Sequence, residues 1–327
     1  MERRTAAAWL AGSTVIGAFR AHAQGRDTMP VVGFLNSATA ELYQFNVAAF
    51  GQGLEETGYT VGRNVAIEFR WAGGDYGKLA ALAKELVERN VAVIAATGDV
   101  ASARAAQAAT RKTPVVFTIG GDPVRYGLVE SYGRPGGNLT GISLISSNIG
   151  GKRIEVLHEI AREGKFALIM NPDNPNATAE QGDAEQAARG LGHPVVTVQT
   201  RNARDFDAAF QVLLRERPAA LFIGTDPMLL SQRARLVEFA EQQQLPAIYF
   251  VREFALAGGL ISYGASIREM YRQAGIYAGR ILRGAKASEL PVLQPTIIEV
   301  VVNLKAAKAL NLKLPQKLML LANEVID

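Results

Sequence analysis

Val31-Val32-Gly33-Phe34-Leu35-Asn36-Ser37-Ala38-Thr39 is the stretch on which the fold turns. An unbroken apolar run closed by a small polar turn reads as a strand buried on both faces, since a half-buried strand would alternate. The period then changes. From Glu41 to Gly58, Leu42, Phe45, Ala49, Phe50 and Leu54 recur on one helical face, with Thr39 placed to cap the helix and Gly58 to end it. A buried strand that turns directly into an amphipathic helix is the first part of a strand–helix–strand unit, and such units assemble into parallel sheets covered on both faces.

The alternation continues outward. Strands are predicted at Val65–Trp71, Val91–Ala96 and Val115–Ile119, separated by helices at Tyr76–Arg89 and Val100–Arg111. A second series follows Gly136-Gly137-Asn138, with strands at Phe166–Met170, Val195–Gln199, Ala219–Ile223 and Ala247–Phe250. Its helices are Asn176–Gly190, Arg204–Arg215 and Pro227–Gln244. The third strand of each series runs into a small polar turn with an aspartate, Gly98-Asp99 in one and Gly224-Thr225-Asp226 in the other. The tail supplies a strand at Leu260–Tyr263, a helix at Ile267–Arg283 and a β-branched strand at Ile297–Val302. The expected fold is α/β: two doubly wound parallel-sheet lobes, 29–142 plus 257–288 and 143–256 plus 289–327. The chain would cross between them near Leu139–Leu144, Glu253–Gly258 and Pro291–Pro295, forming a multi-crossing hinge suited to one closing motion.

The 327 residues are 48% hydrophobic and 20% charged, enough for a core in each lobe. Met1-Glu2-Arg3-Arg4, the uncharged Thr5 to Phe19 and Ala21-His22-Ala23 have the layout of a signal peptide cleaved before Gln24. Arg3-Arg4 leaves Sec and twin-arginine export both open. Without residues 1–23 the charge falls to +2, with no basic stripe suited to nucleic acid. The chain has no cysteine, hence no disulfide, no thiolate metal site and no lipid-bearing cysteine, and the mature protein is expected to diffuse freely in the periplasm.

Several longer blocks resemble the ABC-transporter substrate-binding proteins of the tryptophan/tyrosine-transport type, which have the type I periplasmic-binding-protein fold. These are 31–37, Gly121-Asp122-Pro123-Val124, Arg134-Pro135-Gly136-Gly137-Asn138-Leu139-Thr140-Gly141, Ala257-Gly258-Gly259-Leu260-Ile261-Ser262-Tyr263-Gly264 and Val302-Asn303-Leu304-Lys305-Ala306-Ala307-Lys308. The resemblance implies capture of a small organic solute, an amino acid or an aromatic or carboxylate compound, and its delivery to an ABC permease and its ATPase at the inner membrane. It implies a monomer with no cofactor and no catalysis. At Asp99 the chain departs from the family, whose corresponding turn more often carries a small neutral residue, so the ligand is not fixed by the resemblance.

Ligands of open parallel sheets sit beyond the carboxyl ends of the strands. That rule selects Ser37, Ala38 and Thr39, whose turn offers hydroxyls and free helix amides to a carboxylate, although Thr39 equally serves as a plain cap. It also selects Thr97, Gly98 and Asp99, with Asp99 suited to a cationic amine. Asp122 and Asp226 each precede a proline, a pattern that fits an N-cap as well as a ligand contact. From the second lobe come Asn171, Asn174, Thr225 and Glu253, the last of which has Arg252 as an alternative partner. Trp71 and Tyr76 flank Gly73-Gly74 and are a candidate stacking pair. No dinucleotide, P-loop or nucleophile-elbow motif is present, and His158 and His193 sit in a helix and a turn, a poor basis for a triad or metal site. A receptor that passes its ligand to a membrane signalling protein is the alternative, and an enzyme on the same scaffold is the remote one.

Overall fold

The computed structural model describes residues 29–144, 149–294 and 298–327; the signal-peptide reading lies outside them. β1 (Val31–Asn36) is flanked in parallel by β2 (Ala66–Trp71) and β3 (Val93–Thr97), and β4 (Val115–Gly120) and β5 (Leu139–Leu144) extend the sheet to the order β2-β1-β3-β4-β5. Side chains alternate across a strand, so β1 serves two cores. Val32 and Phe34 join Phe50 and Leu54 of α1 (Ala40–Glu55). Leu35 joins Leu86 of α2 (Leu79–Glu88) and Ala103 of α3 (Val100–Ala109). Both faces of the strand are thus covered, as the unbroken apolar run requires.

The second lobe holds α4 (Ile149–Ile160), β6 (Phe166–Met170), α5 (Ala177–Gly190), β7 (Val195–Gln199), α6 (Phe206–Glu216) and β8 (Ala220–Ile223). They are followed by α7 (Pro227–Ser231), α8 (Arg233–Gln242), β9 (Ala247–Tyr249), α9 (Arg252–Leu256) and β10 (Ile261–Ala265). After α10 (Ile267–Leu282) come β11 (Ile298–Asn303), α11 (Leu304–Ala309), α12 (Gln316–Leu321) and β12 (Glu324–Ile326). The sheet order is β12-β11-β10-β9-β8-β6-β7. Within it β7-β6-β8-β9-β10 repeats the pattern of the first lobe, so both lobes are doubly wound with one switch point each, between β1 and β3 and between β6 and β8.

Four sequence expectations need correction. β10 was assigned to the first lobe, but it pairs with β9 through Ile261↔Ile248 and Ser262↔Tyr249 and lies antiparallel to β11. A short link through α9 leaves β9's free edge as the nearest partner, so the chain crosses at Ser266 and not within Glu253–Gly258. Next, Leu290–Gln294 stay with the first sheet, where Ser143 and Leu293 bond along β5, past the boundary expected at residue 289. The expected helix Pro227–Gln244 is two helices that meet at Gln232. Finally, Phe45 is 61% exposed, because α1 turns Tyr43, Asn46, Ala49 and Gly53 inward.

That rotation follows from α10, which returns to the first lobe and packs along α1 at glycine contacts. A Cβ on Gly53 would lie 1.9 Å from the Arg272 carbonyl oxygen, and one on Gly275 2.0 Å from that of Phe50. The close approach brings Tyr271 of α10 under the end of β1.

Candidate ligand-binding cleft

The two switch points face each other. In the first lobe the side chain of Asn36 is buried and braces the turn: its Nδ2 donates to Thr97 Oγ1 and to the Tyr271 hydroxyl, both at 2.9 Å, and its Oδ1 accepts from the Ala38 amide at 2.7 Å. Gly98 has φ +98°, and a Cβ there would come 2.7 Å from Ser37 Oγ, so only glycine lets the two turns close up. Asp99 caps α3 through Oδ1, which accepts from the Ser102 amide at 2.9 Å. Asp99 Oδ2 and Ser37 Oγ are both buried with no hydrogen-bond partner. Burial pushes the Asp99 carboxyl up to about 6, against the pull of the neighbouring Ser37 hydroxyl and the Ser102 amide.

In the second lobe Asp226 caps α7 through Oδ1, which accepts from the Met228 and Leu229 amides at 2.8 and 3.0 Å. Its Oδ2 accepts from Asn171 Nδ2 at 3.2 Å, Asn174 Nδ2 at 3.0 Å and, across the cleft, the Tyr76 hydroxyl at 2.7 Å. Burial raises its carboxyl also, although these donors favour the charged form. A second bond crosses between the lobes, from the Tyr126 hydroxyl to Asn176 Oδ1 at 2.6 Å. The lobes are therefore closed on one another.

The field inside is negative. Tyr43, buried between them, has its hydroxyl pushed well above the usual range, first by burial and then by Tyr271 and by the charges of Asp99, Glu253 and Asp226. Glu253 heads α9, and its buried Oε2 also lacks a partner. Arg252, its expected partner, instead pairs with Glu324 at 2.7 Å. Among the described residues neither Asp99 nor Asp226 makes an ion pair, and no cluster of side chains fits a metal ion.

Other expected residues fall elsewhere. Thr225 is held by the buried Arg153–Glu180 pair: its hydroxyl donates to Glu180 Oε1 at 2.6 Å and its amide to Oε2 at 2.7 Å. Asp122 is only half-buried and no helix follows it; its Oδ1 accepts from the Val124 amide at 2.9 Å and the Tyr132 hydroxyl at 3.2 Å, closing a turn. Trp71 lies parallel to Phe69, centroids 5.9 Å apart, and leans on Phe34, with no ring contact to Tyr76. Thr39 occupies the N-cap position of α1 without a side-chain capping bond. His158 and His193 bond to each other at 2.7 Å within the second lobe.

The sequence reading passed over Asn176 and Tyr271. Asn36 lies within the stretch quoted at the outset, immediately before the Ser37–Thr39 turn. Tyr271 lies 235 positions from its partner, and no local pattern announces that contact.

The profile of the ABC transporter substrate-binding protein family matches residues 41–326. The chain belongs to that family. This substrate-binding protein is 26% identical over 265 residues to a tyrosine-binding protein of Clostridioides difficile, an alignment covering 81% of the present chain and 76% of that one. In structure it is similar to a Streptococcus pneumoniae ABC domain in complex with L-Trp, at 22% identity, TM-score 0.83, and coverage of 91% of this chain and 100% of that one. It is also similar to the ligand-free, open structure of a Clostridium difficile substrate-binding protein with adhesive properties, at 22% identity and TM-score 0.63, covering 91% and 99%. The shared fold is that of the type I periplasmic binding proteins.

Proposed function

We propose that this substrate-binding protein is the periplasmic receptor of an ABC importer, closing its two lobes around a small organic solute and presenting the closed form to the permease and its ATPase. The observation that carries this reading is the meeting of the two switch-point crevices, bonded across by Tyr76 and Asp226. Ser37, Thr97, Gly98 and Asp99 supply one wall and Asn171, Asn174 and Asp226 the other, with Tyr76 closing over them. The higher similarity to a ligand-complexed relative than to an open, ligand-free one, at equal identity, supports a closed state. The names of the tyrosine-binding and L-Trp-complexed relatives point to an amino acid or a related aromatic compound.

Protein purified from its native periplasm and then denatured should release a stoichiometric small molecule detectable by mass spectrometry, and its mature N-terminus should be Gln24. If it neither releases a small molecule nor is stabilised by any candidate solute, it is not a receptor.

A further inference from the structure

Beyond the cleft, we infer that the second lobe holds a separate site for a small neutral molecule, an alcohol, phenol or amide with an apolar body, whose polar end meets the hydroxyl of Tyr249. A cavity of about 550 Å³ lies between α8, the turn from α9 into β10, and α11, and it shares no residue with the two walls of the cleft. Small-molecule sites usually enclose about 300–1,000 Å³, so the space is of the right size. Its walls are largely aliphatic, with Val237 and Ala240 on one side and Ala306 and Leu310 on the other.

Tyr249 ends β9 and lines this cavity while only 1% exposed. Its ring is fixed in place. Phe254 stacks on it with centroids 4.5 Å apart, and a Cβ on Gly259 would lie 2.6 Å from Tyr249 Cε2, two bonds from the hydroxyl oxygen. Gly259 lines the cavity too, so the hydroxyl end of the ring is the end turned toward it. Among the described residues that hydroxyl meets no hydrogen-bond partner, and burial alone pushes it above its usual range. A buried phenol usually finds a partner, and this one faces a space that could hold it. The interior offers no charge. Asn303, the other polar side chain within, is already engaged: its Nδ2 donates to the Ala255 carbonyl and its Oδ1 accepts from the Ala306 amide, both at 3.0 Å. Glu241 and Lys305 are exposed and sit at the rim. A phenol hydroxyl both donates and accepts, which suits an alcohol, phenol or amide. A carboxylate or ammonium carried to the same depth would lose its water and find no counter-charge, a cost that one neutral hydroxyl does not offset.

The test is an NMR titration of the full chain with 1-hexanol, benzyl alcohol and p-cresol, each set against a charged counterpart: hexanoate, benzylamine and 4-methylbenzoate. Tyr249→Phe removes the hydroxyl and keeps the ring. Ala306→Phe, on a partly exposed wall, fills the cavity and decides the matter alone should the first variant fail to fold. At least one neutral probe should bind saturably, and its charged counterpart more weakly. Its affinity should fall about 2- to 10-fold in Tyr249→Phe, the range for a neutral hydrogen bond, and its binding should be lost in Ala306→Phe. Absence of saturable binding by any neutral probe, equal binding of the charged counterparts, or affinity unchanged in either variant would overturn the inference. Each of those results leaves the receptor reading intact, because the cleft and its residues are untouched by both substitutions.

Discussion

At the cleft the decisive chemistry sits on single oxygen atoms. Tyr76 donates to Asp226 only when the lobes meet, so Tyr76→Phe should leave the isolated lobes intact and weaken the closed form. A bond to a charged acceptor contributes about 1.5–3 kcal/mol, which predicts ligand affinity reduced roughly 10- to 100-fold with little change in the ligand-free melting temperature. Calorimetry of the variant checks this, and a melting point lowered without loss of affinity would make Tyr76 a structural residue only. Asp99 adds a pH dependence whose sign is fixed by its burial. Its carboxyl titrates near 6 in the closed form against an ordinary 3.8, so the closed form holds the proton more tightly. Closure of the empty protein is then easier at low pH and weakens as pH rises through 6, Asp226 acting in the same direction. Small-angle scattering of ligand-free protein should show it more compact at pH 4.5 than at pH 7.5, a difference that shrinks in Asp99→Asn. The sequence made Asp99 and Asp226 visible by their place after equivalent strands. How fully Asp226 is satisfied depends on Asn171 and Asn174 of one loop and Tyr76 of the other lobe converging on it, and no local pattern encodes that.

At the scale of elements, strands and helices were legible wherever burial imposes a period. β1 and α1 stand almost where the apolar run and its helical successor put them. The misreadings arose where tertiary pairing decides: β10 joined the sheet whose edge it could reach, and α1 was rotated by its contact with α10. Glycine contacts set that rotation, since no other side chain fits between the helices at Gly53 and Gly275. Gly275→Ala should therefore lower stability by about 3 kcal/mol, the upper part of the range for overpacking, read as a shifted urea midpoint. Gly182, on α5, has nothing within 4 Å of an added Cβ, and Gly182→Ala should be neutral or stabilising by about 0.5–1 kcal/mol. Equal effects of the two substitutions would remove the basis for the α1–α10 argument.

For the whole molecule, two lobes with repeated strand order meet at their switch points, and the chain passes between them in separate segments. That geometry is suited to a single opening and closing motion of the cleft. On the proposed reading, a solute held by both walls would stabilise the closed arrangement by its differential affinity for it. Repetition of the two series made the lobes legible in sequence, whereas the closing bonds, Tyr76 to Asp226 and Tyr126 to Asn176, join residues 150 and 50 positions apart and emerge only in three dimensions. The most direct test is small-angle scattering at pH 7.5 on protein freed of solute by denaturation and refolding, then titrated with the solute it released. The radius of gyration should fall in proportion to occupancy and reach the value calculated for the closed lobes described here; tight binding at an unchanged radius would contradict the account.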